Sequence, residues 1–171
     1  MPDDAIDRLI GQWREARPDL DPAPMAVLAR LLRAAGAADR AVEAGLAEHD
    51  LQPGWFDVLS ALRRAGTPHR LSPGRLSSAV MLSTGGMTKR LDRMEAAGLI
   101  RRAPDPADRR ALLVGLTPRG RRVIDAAVTA HVANERRMLA GLSARDQAQL
   151  ERLLRKLDAS ITAATATARA A

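Results

Sequence analysis

A chain of 171 residues with no cysteine excludes disulfide frameworks, zinc–thiolate clusters and thiol redox sensors. Its length points to a single domain able to bury an ordinary core, and with Trp13, Trp55 and Phe56 as its only aromatic residues that core must be aliphatic. The net charge of +7 is segregated: residues 1–62 carry 6 basic and 11 acidic side chains, 63–122 carry 14 and 4, and 123–171 carry 7 and 5.

The middle third therefore has the charge footprint of a surface that displaces counterions from a phosphate backbone. Base composition could explain why Lys89 and Lys156 are the only lysines. It does not explain why acids avoid the same segment. The N-terminus, with Asp3, Asp4 and Asp7, has no basic and apolar leader, and no apolar run approaches the length of a membrane span. A cytoplasmic location and no membrane partner are the expectation.

Ile6, Leu9, Ile10 and Trp13 recur at helical spacing, predicting an amphipathic first helix that cannot continue far past Pro18. Asp21-Pro22-Ala23-Pro24 opens a long second helix in which Leu28, Leu31, Leu32, Ala35, Val42 and Leu46 share a face, ending near His49 or Asp50. Gly36 and Gly45 weaken it by about 1 kcal/mol each relative to Ala. Leu51-Gln52-Pro53 starts a third helix with Phe56, Leu59 and Leu62 inward, closing at Gly66. Ser72 then caps a short helix that has Pro73 first and Leu76, Ala79 and Val80 on one face.

After Met81 and Leu82, Ser83 caps the next helix. Here Met87, Leu91 and Met94 fall at i, i+4 and i+7, leaving Thr88, Lys89, Arg90 and Arg93 on the other side. Gly98 ends it in the left-handed conformation, and Leu99-Ile100 starts a strand. A turn over Pro104 to Asp108 and the pair Arg109-Arg110 lead into a return strand over Ala111 to Gly115, the hairpin to which strand signals are confined. Thr117 caps a long helix running through Val123, Ile124, Ala127, Val128 and His131 to about Leu139, where Gly141 breaks it. Ser143 and Asp146 resemble a capping box for a last helix carrying Leu150, Leu153, Leu154, Leu157 and Ile161. Residues 163–171, mostly Ala and Thr, are expected to fray.

Two short helical patterns, a glycine-closed helix and an arginine-tipped hairpin, in that order, predict a mainly α winged helix-turn-helix with a small β-hairpin wing. The whole chain, 1–171, reads as one domain: a winged helix-turn-helix at 51–117 and long dimerisation helices at 4–50 and 118–162. A helix of this diameter fits the major groove of double-stranded DNA, and an arginine hairpin fits the narrow minor groove beside it. Ser83, Thr84, Gly85, Gly86, Thr88 and Lys89 lie at the exposed start of the reading helix, where hydroxyls and free amides can hold phosphates. Gly85-Gly86 either lets the backbone approach DNA or is only a loose helix start. Arg93 either reaches a base edge or phosphate or pairs with Asp92.

The run Leu82 to Glu95, the Gly98-Leu99-Ile100 stop, the wing Asp108-Arg109-Arg110 and the exit Leu116-Thr117-Pro118-Arg119-Gly120 together resemble the MarR family of bacterial transcription regulators. The resemblance extends roughly from Asp19 to Leu157. It implies a homodimer joined by its terminal helices on a palindromic operator of roughly 16 to 20 base pairs. It also implies that Asp108 braces the wing and Arg110 reaches the minor groove, with Arg109 a neighbour of inseparable role. Repression is the commoner mode in the family.

Trp13, Asp57, Arg90 and Arg102 match the tryptophan, aspartate and two arginines of the urate-responsive branch, the PecS- and HucR-like regulators, which also carry an additional N-terminal helix. That likeness implies an effector pocket in each subunit, between the dimer helices and the DNA-binding lobe. In it Arg102 anchors a small anion such as urate or another purine, Trp13 packs on it and Asp57 is pushed away. Arg90 then shifts the reading helix and releases DNA. An indole with two guanidinium groups does suit a flat anion, by stacking and bidentate hydrogen bonding. Alternatively Trp13 extends the first helix's core stripe, and Asp57 pairs structurally with Arg90 or Arg102.

Two other functional readings stand beside this one: a MarR-type regulator of phenolic or antibiotic-like ligands, and a winged-helix module that mainly contacts another protein. An enzyme, a metal or a cofactor is not expected. His49, His69 and His131 are scattered without cysteine or paired carboxylates at ligand spacing, and no phosphate-binding glycine loop is present. His69, beside Arg70, reads as a phosphate or solvent contact.

Overall fold

The computed structural model describes residues 4–80, 84–106, 108 and 111–170. Helix α1 (Ala5–Ala16) is opened by a reciprocal cap: the Asp4 carboxylate accepts the amides of Ile6 and Asp7, and the Asp7 carboxylate accepts the amide of Asp4. Ile6 and Ile10 are buried, and α1 packs along α2 (Ala23–Ala47). Arg30 and Arg33 of α2 reach back to Asp4, and Arg30 also holds Asp7 at 2.6 Å. The rest of the α1 stripe is open, with Trp13 40% exposed, so Trp13 is not a core residue of the single chain.

The long apolar face of α2 is likewise only partly filled. Leu46 is buried, but Leu28 and Leu32 are exposed. The helix ends with Asp50 in the left-handed region (φ 55°): its amide donates to Ala47 O, that of Leu51 donates to Leu46 O, and Leu46 and Leu51 bury the turn between them.

Helix α3 (Pro53–Arg64) buries Val58, Leu59 and Leu62 completely, whereas Phe56 is half-buried. Strand β1 (Arg70–Leu71) was not expected, because two residues are too short to show alternation; it exists by pairing with an otherwise free strand edge. Helices α4 (Pro73–Ala79) and α5 (Thr84–Ala96) follow, then β2 (Ile100–Pro104) and β3 (Leu112–Leu116). The antiparallel sheet has the order β1-β3-β2, with Arg70 paired to Gly115 and Gly115 to Arg101. The core gathers α3, α4, α5, the sheet and the start of α6 (Pro118–Met138) around Leu59, Leu62, Leu76, Met94, Ile100, Val114 and Ile124.

Helix α7 (Ala144–Ala170) begins at the expected cap, the Asp146 amide donating to Ser143 Oγ and the Ser143 amide to Asp146. It runs on past residue 163, through the segment expected to fray. Alanine is the strongest helix former, and the helix continues to Ala170, with the hydroxyls of Thr165 and Thr167 donating back to the carbonyls of Ile161 and Ala163. The chain forms two compact units, Met1–His131 and Val132–Ala171. In the second, no described residue is buried, and Leu150, Leu153, Leu154 and Ile161 form an exposed stripe at helical spacing.

Candidate nucleic-acid interface and effector grooves

Helix α5 is oriented by its own period. Met87, Leu91 and Met94 are buried in the core, which turns Gly86, Thr88, Lys89 and Arg93 to the outside. The backbone of Thr84 and Gly85 makes the first turn; Ser83, Arg109 and Arg110 lie outside the described residues, as do Met81 and Leu82. Arg93 makes only a long contact, 3.4 Å from its Nε to Lys89 O, and its charge has no acidic partner among the described residues. The expected alternative pairing with Asp92 is not made.

The C-terminal end of α5 is fixed by three devices. Gly98 is left-handed (φ 68°), so its amide reaches Glu95 O and that of Leu99 reaches Met94 O. Thr117 Oγ1 donates to Gly98 O at 2.7 Å while accepting the Gly120 amide, tying the start of α6 to the same turn. Arg119 donates to Ala97 O. Gly120 sits so close that a Cβ there would lie 1.9 Å from Leu99 O. At the far end of the hairpin Asp105 N donates to Ala111 O and Ala111 N to Asp108 O, closing the wing turn through the backbone.

Arg102 is held by α5 itself. Its guanidinium lies 2.7 Å from Asp92 and 3.6 Å from Glu95, and its amide donates to Glu95 at 2.7 Å. It borders a groove of about 310 Å³ between α4 and α5, floored by Met87 and Leu91 and walled by Pro73, Ser77 and Leu112. Arg90 faces α3 instead. Its guanidinium occupies the space a side chain at Gly54 would fill, and its Nη1 is buried without an acceptor among the described residues.

Asp57 lies near Arg90, at a cavity of about 260 Å³ shared with Ser60 and Arg64. Loss of solvation raises the Asp57 carboxyl above the usual range, outweighing the opposing pull of Arg90, Arg64 and His131. The buried Ser60 Oγ beside it also lacks a partner among the described residues. Trp13 borders a third, shallow groove with Leu9, Gln12 and Ala16. Of the four residues expected to share a pocket, one chain brings Asp57 and Arg90 near each other and puts Arg102 and Trp13 each at another surface.

Sequence reasoning did not identify Asp92 and Glu95 as the clamp on Arg102, nor Gly54 and Ser60. The clamp had a signal: a reversal at Gly98 folds residue 95 opposite residue 102.

Residues 49–111 match the model of the MarR family. The HTH-type transcriptional regulator PecS of Dickeya dadantii (strain 3937) is 38% identical over 153 residues, covering 90% of this chain and 92% of PecS. The chain belongs to the MarR family. Its relatives are transcription regulators, not enzymes. Among solved MarR-family structures, a mutant MarR from E. coli complexed with operator DNA superposes with a TM-score of 0.67 at 27% identity, covering 85% of this chain and 96% of that one. Bordetella bronchiseptica BpsR, whose DNA binding is regulated by 6-hydroxynicotinic acid, has a TM-score of 0.67 at 28% identity, covering 77% and 92%. The winged-helix architecture and its mainly helical class are those of the family. Among the described residues, no helix is long and apolar enough to cross a membrane.

Proposed function

We propose that this MarR-family protein is a homodimeric repressor that binds a palindromic operator and is released by a small anionic effector, urate or a related purine. The observation that carries the DNA reading is the orientation of α5, with Met87, Leu91 and Met94 inward and Thr88, Lys89 and Arg93 outward beside the wing. The outer face meets base edges and phosphates in the major groove, while Arg109 and Arg110 enter the minor groove.

The dimer reading is supported by apolar surface that one chain leaves uncovered, on α1 and α2 at Trp13, Leu28 and Leu32 and on α7 at Leu150, Leu153, Leu154 and Ile161. Two-fold pairing through 4–50 and 118–162 covers these faces and sets two copies of α5 about one turn of B-DNA apart, roughly 34 Å.

The effector reading is supported by cationic groups beside two cavities: Arg102 of β2 at the α4–α5 groove and Arg90 of α5 near Asp57. A coupling of about 1–3 kcal/mol between effector and DNA would change occupancy several-fold or more. The groove beside Arg102 favours a second effector class. Floored by Met87 and Leu91, it suits a small aromatic carboxylate or phenol as well as a purine. A mobility-shift titration on the DNA upstream of the gene, with urate, xanthine and 6-hydroxynicotinate as added ligands, separates these readings. Sequence preference above bulk competitor with release by one ligand supports a regulator, whereas no preference supports a protein-interaction module.

A further inference from the structure

We infer that the base of the wing holds a separate site for a small oxyanion of the phosphate class, built by Arg101, Arg121 and His69 and independent of the groove beside Arg102. Successive strand residues face opposite ways, so Arg101 and Arg102 serve different faces of β2. Arg101 shares its face with Gly115 of β3 and Arg70 of β1, to which it is linked by register. Two arginines thus flank a residue without a side chain, roughly 10 Å apart at twice the strand spacing. Arg70 lays its stem across the glycine, its Cγ 3.0 Å from where a Cβ would stand.

A cavity of about 360 Å³ here is bordered by His69, Arg101, Leu116, Thr117, Pro118 and Arg121, with no carboxylate in the lining among the described residues. Arg70 and Arg101 have no ion pair among the described residues. Arg121 lies 3.8 Å from Asp125, a carboxylate already held by Arg63 at 2.7 Å. The imidazole of His69 borders the cavity, although its Nδ1 is itself shut off from solvent. The start of α6, a 21-residue helix, adds its positive end. Two guanidinium groups, those of Arg101 and Arg121, border this one cavity, and such donors match the oxygens of a phosphate.

The site is set back from the tip of the wing. The Arg70–Gly115–Arg101 row lies three rungs from the Pro104–Leu112 rung at the tip end, roughly 10 Å along the strands.

The test is calorimetric titration of the full-length protein with inorganic phosphate, against sodium chloride of equal ionic strength. Saturable binding is expected, weakened fivefold or more in Arg101→Gln and in Arg121→Gln but not in Arg40→Gln, an exposed cation on α2. Urea midpoints of the variants establish that they are folded, and Arg101→Lys, which keeps the charge, should recover part of the affinity. A response no different from chloride overturns the inference, as does binding that survives both substitutions or is lost only in Arg102→Gln. If Arg101→Gln instead lowers DNA affinity and reduces its salt slope by about one, the arginine belongs to the DNA contact surface and the inference also fails.

Discussion

Replacing Gly120 by alanine should cost far more than adding one methyl suggests. The new Cβ would stand 1.9 Å from the Leu99 carbonyl oxygen and 2.8 Å from its carbon. A comfortable carbon–oxygen approach is about 3.3–3.6 Å, so one backbone must move by more than about 1 Å. The carbonyl cannot simply rotate, because it accepts the Thr117 amide at 3.1 Å. Overpacking of this kind costs about 1–3 kcal/mol and a lost backbone hydrogen bond about 0.5–1.5 kcal/mol more, giving a loss of about 1.5–4.5 kcal/mol. Urea unfolding at one fixed protein concentration measures it, with Gly141→Ala as the control because no heavy atom lies within 4 Å of a Cβ there. A Gly120→Ala midpoint implying less than about 0.5 kcal/mol, the size of an ordinary surface change, would refute the packing argument.

Met94→Ala should destabilise by about 2–5 kcal/mol in the same assay and weaken DNA binding, because the side chain is wholly buried beneath α5 without reaching its outer face. Arg110→Ala should weaken operator binding and lower the salt slope by about one in a mobility-shift series; full affinity with an unchanged slope counts against its minor-groove role. Arg33 and the amides of Asp7 and Ile6 hold the Asp4 carboxyl well below its usual range, so the native protein binds fewer protons there than the unfolded chain. The stabilisation of α1 is therefore present above the ordinary aspartate range and lost as pH falls below about 4, read as loss of amide-exchange protection in α1. Asp57 has the opposite sign: its raised pKa favours the native state at low pH and the benefit disappears as pH rises, so Asp57→Asn should flatten that part of the stability profile.

Periodicity and punctuation made the local architecture readable. Met87, Leu91 and Met94 announce the buried side of α5, Gly98 its left-handed stop, and Ser143 with Asp146 the start of α7. What stayed hidden depends on contacts between distant segments. Strand β1 is two residues long and exists only through β3, and nothing near Gly54 foretells that Arg90 will occupy the space beside it. The helical spacing of Leu9 and Trp13 marks an apolar face but cannot say whether the chain itself or another surface covers it. Matching Trp13, Asp57, Arg90 and Arg102 by position likewise gives no geometry, and in one chain they stand at three separate grooves.

The two acids that grip Arg102 belong to the same helix that faces outward with Lys89 and Arg93. An anion drawn to that guanidinium must compete with Asp92 and Glu95, and success leaves their negative charge unbalanced within a turn or two of the cations that attract DNA. On the proposed effector reading, occupancy of the groove would thereby weaken the pull on the duplex by simple charge exchange, even without movement of the helix.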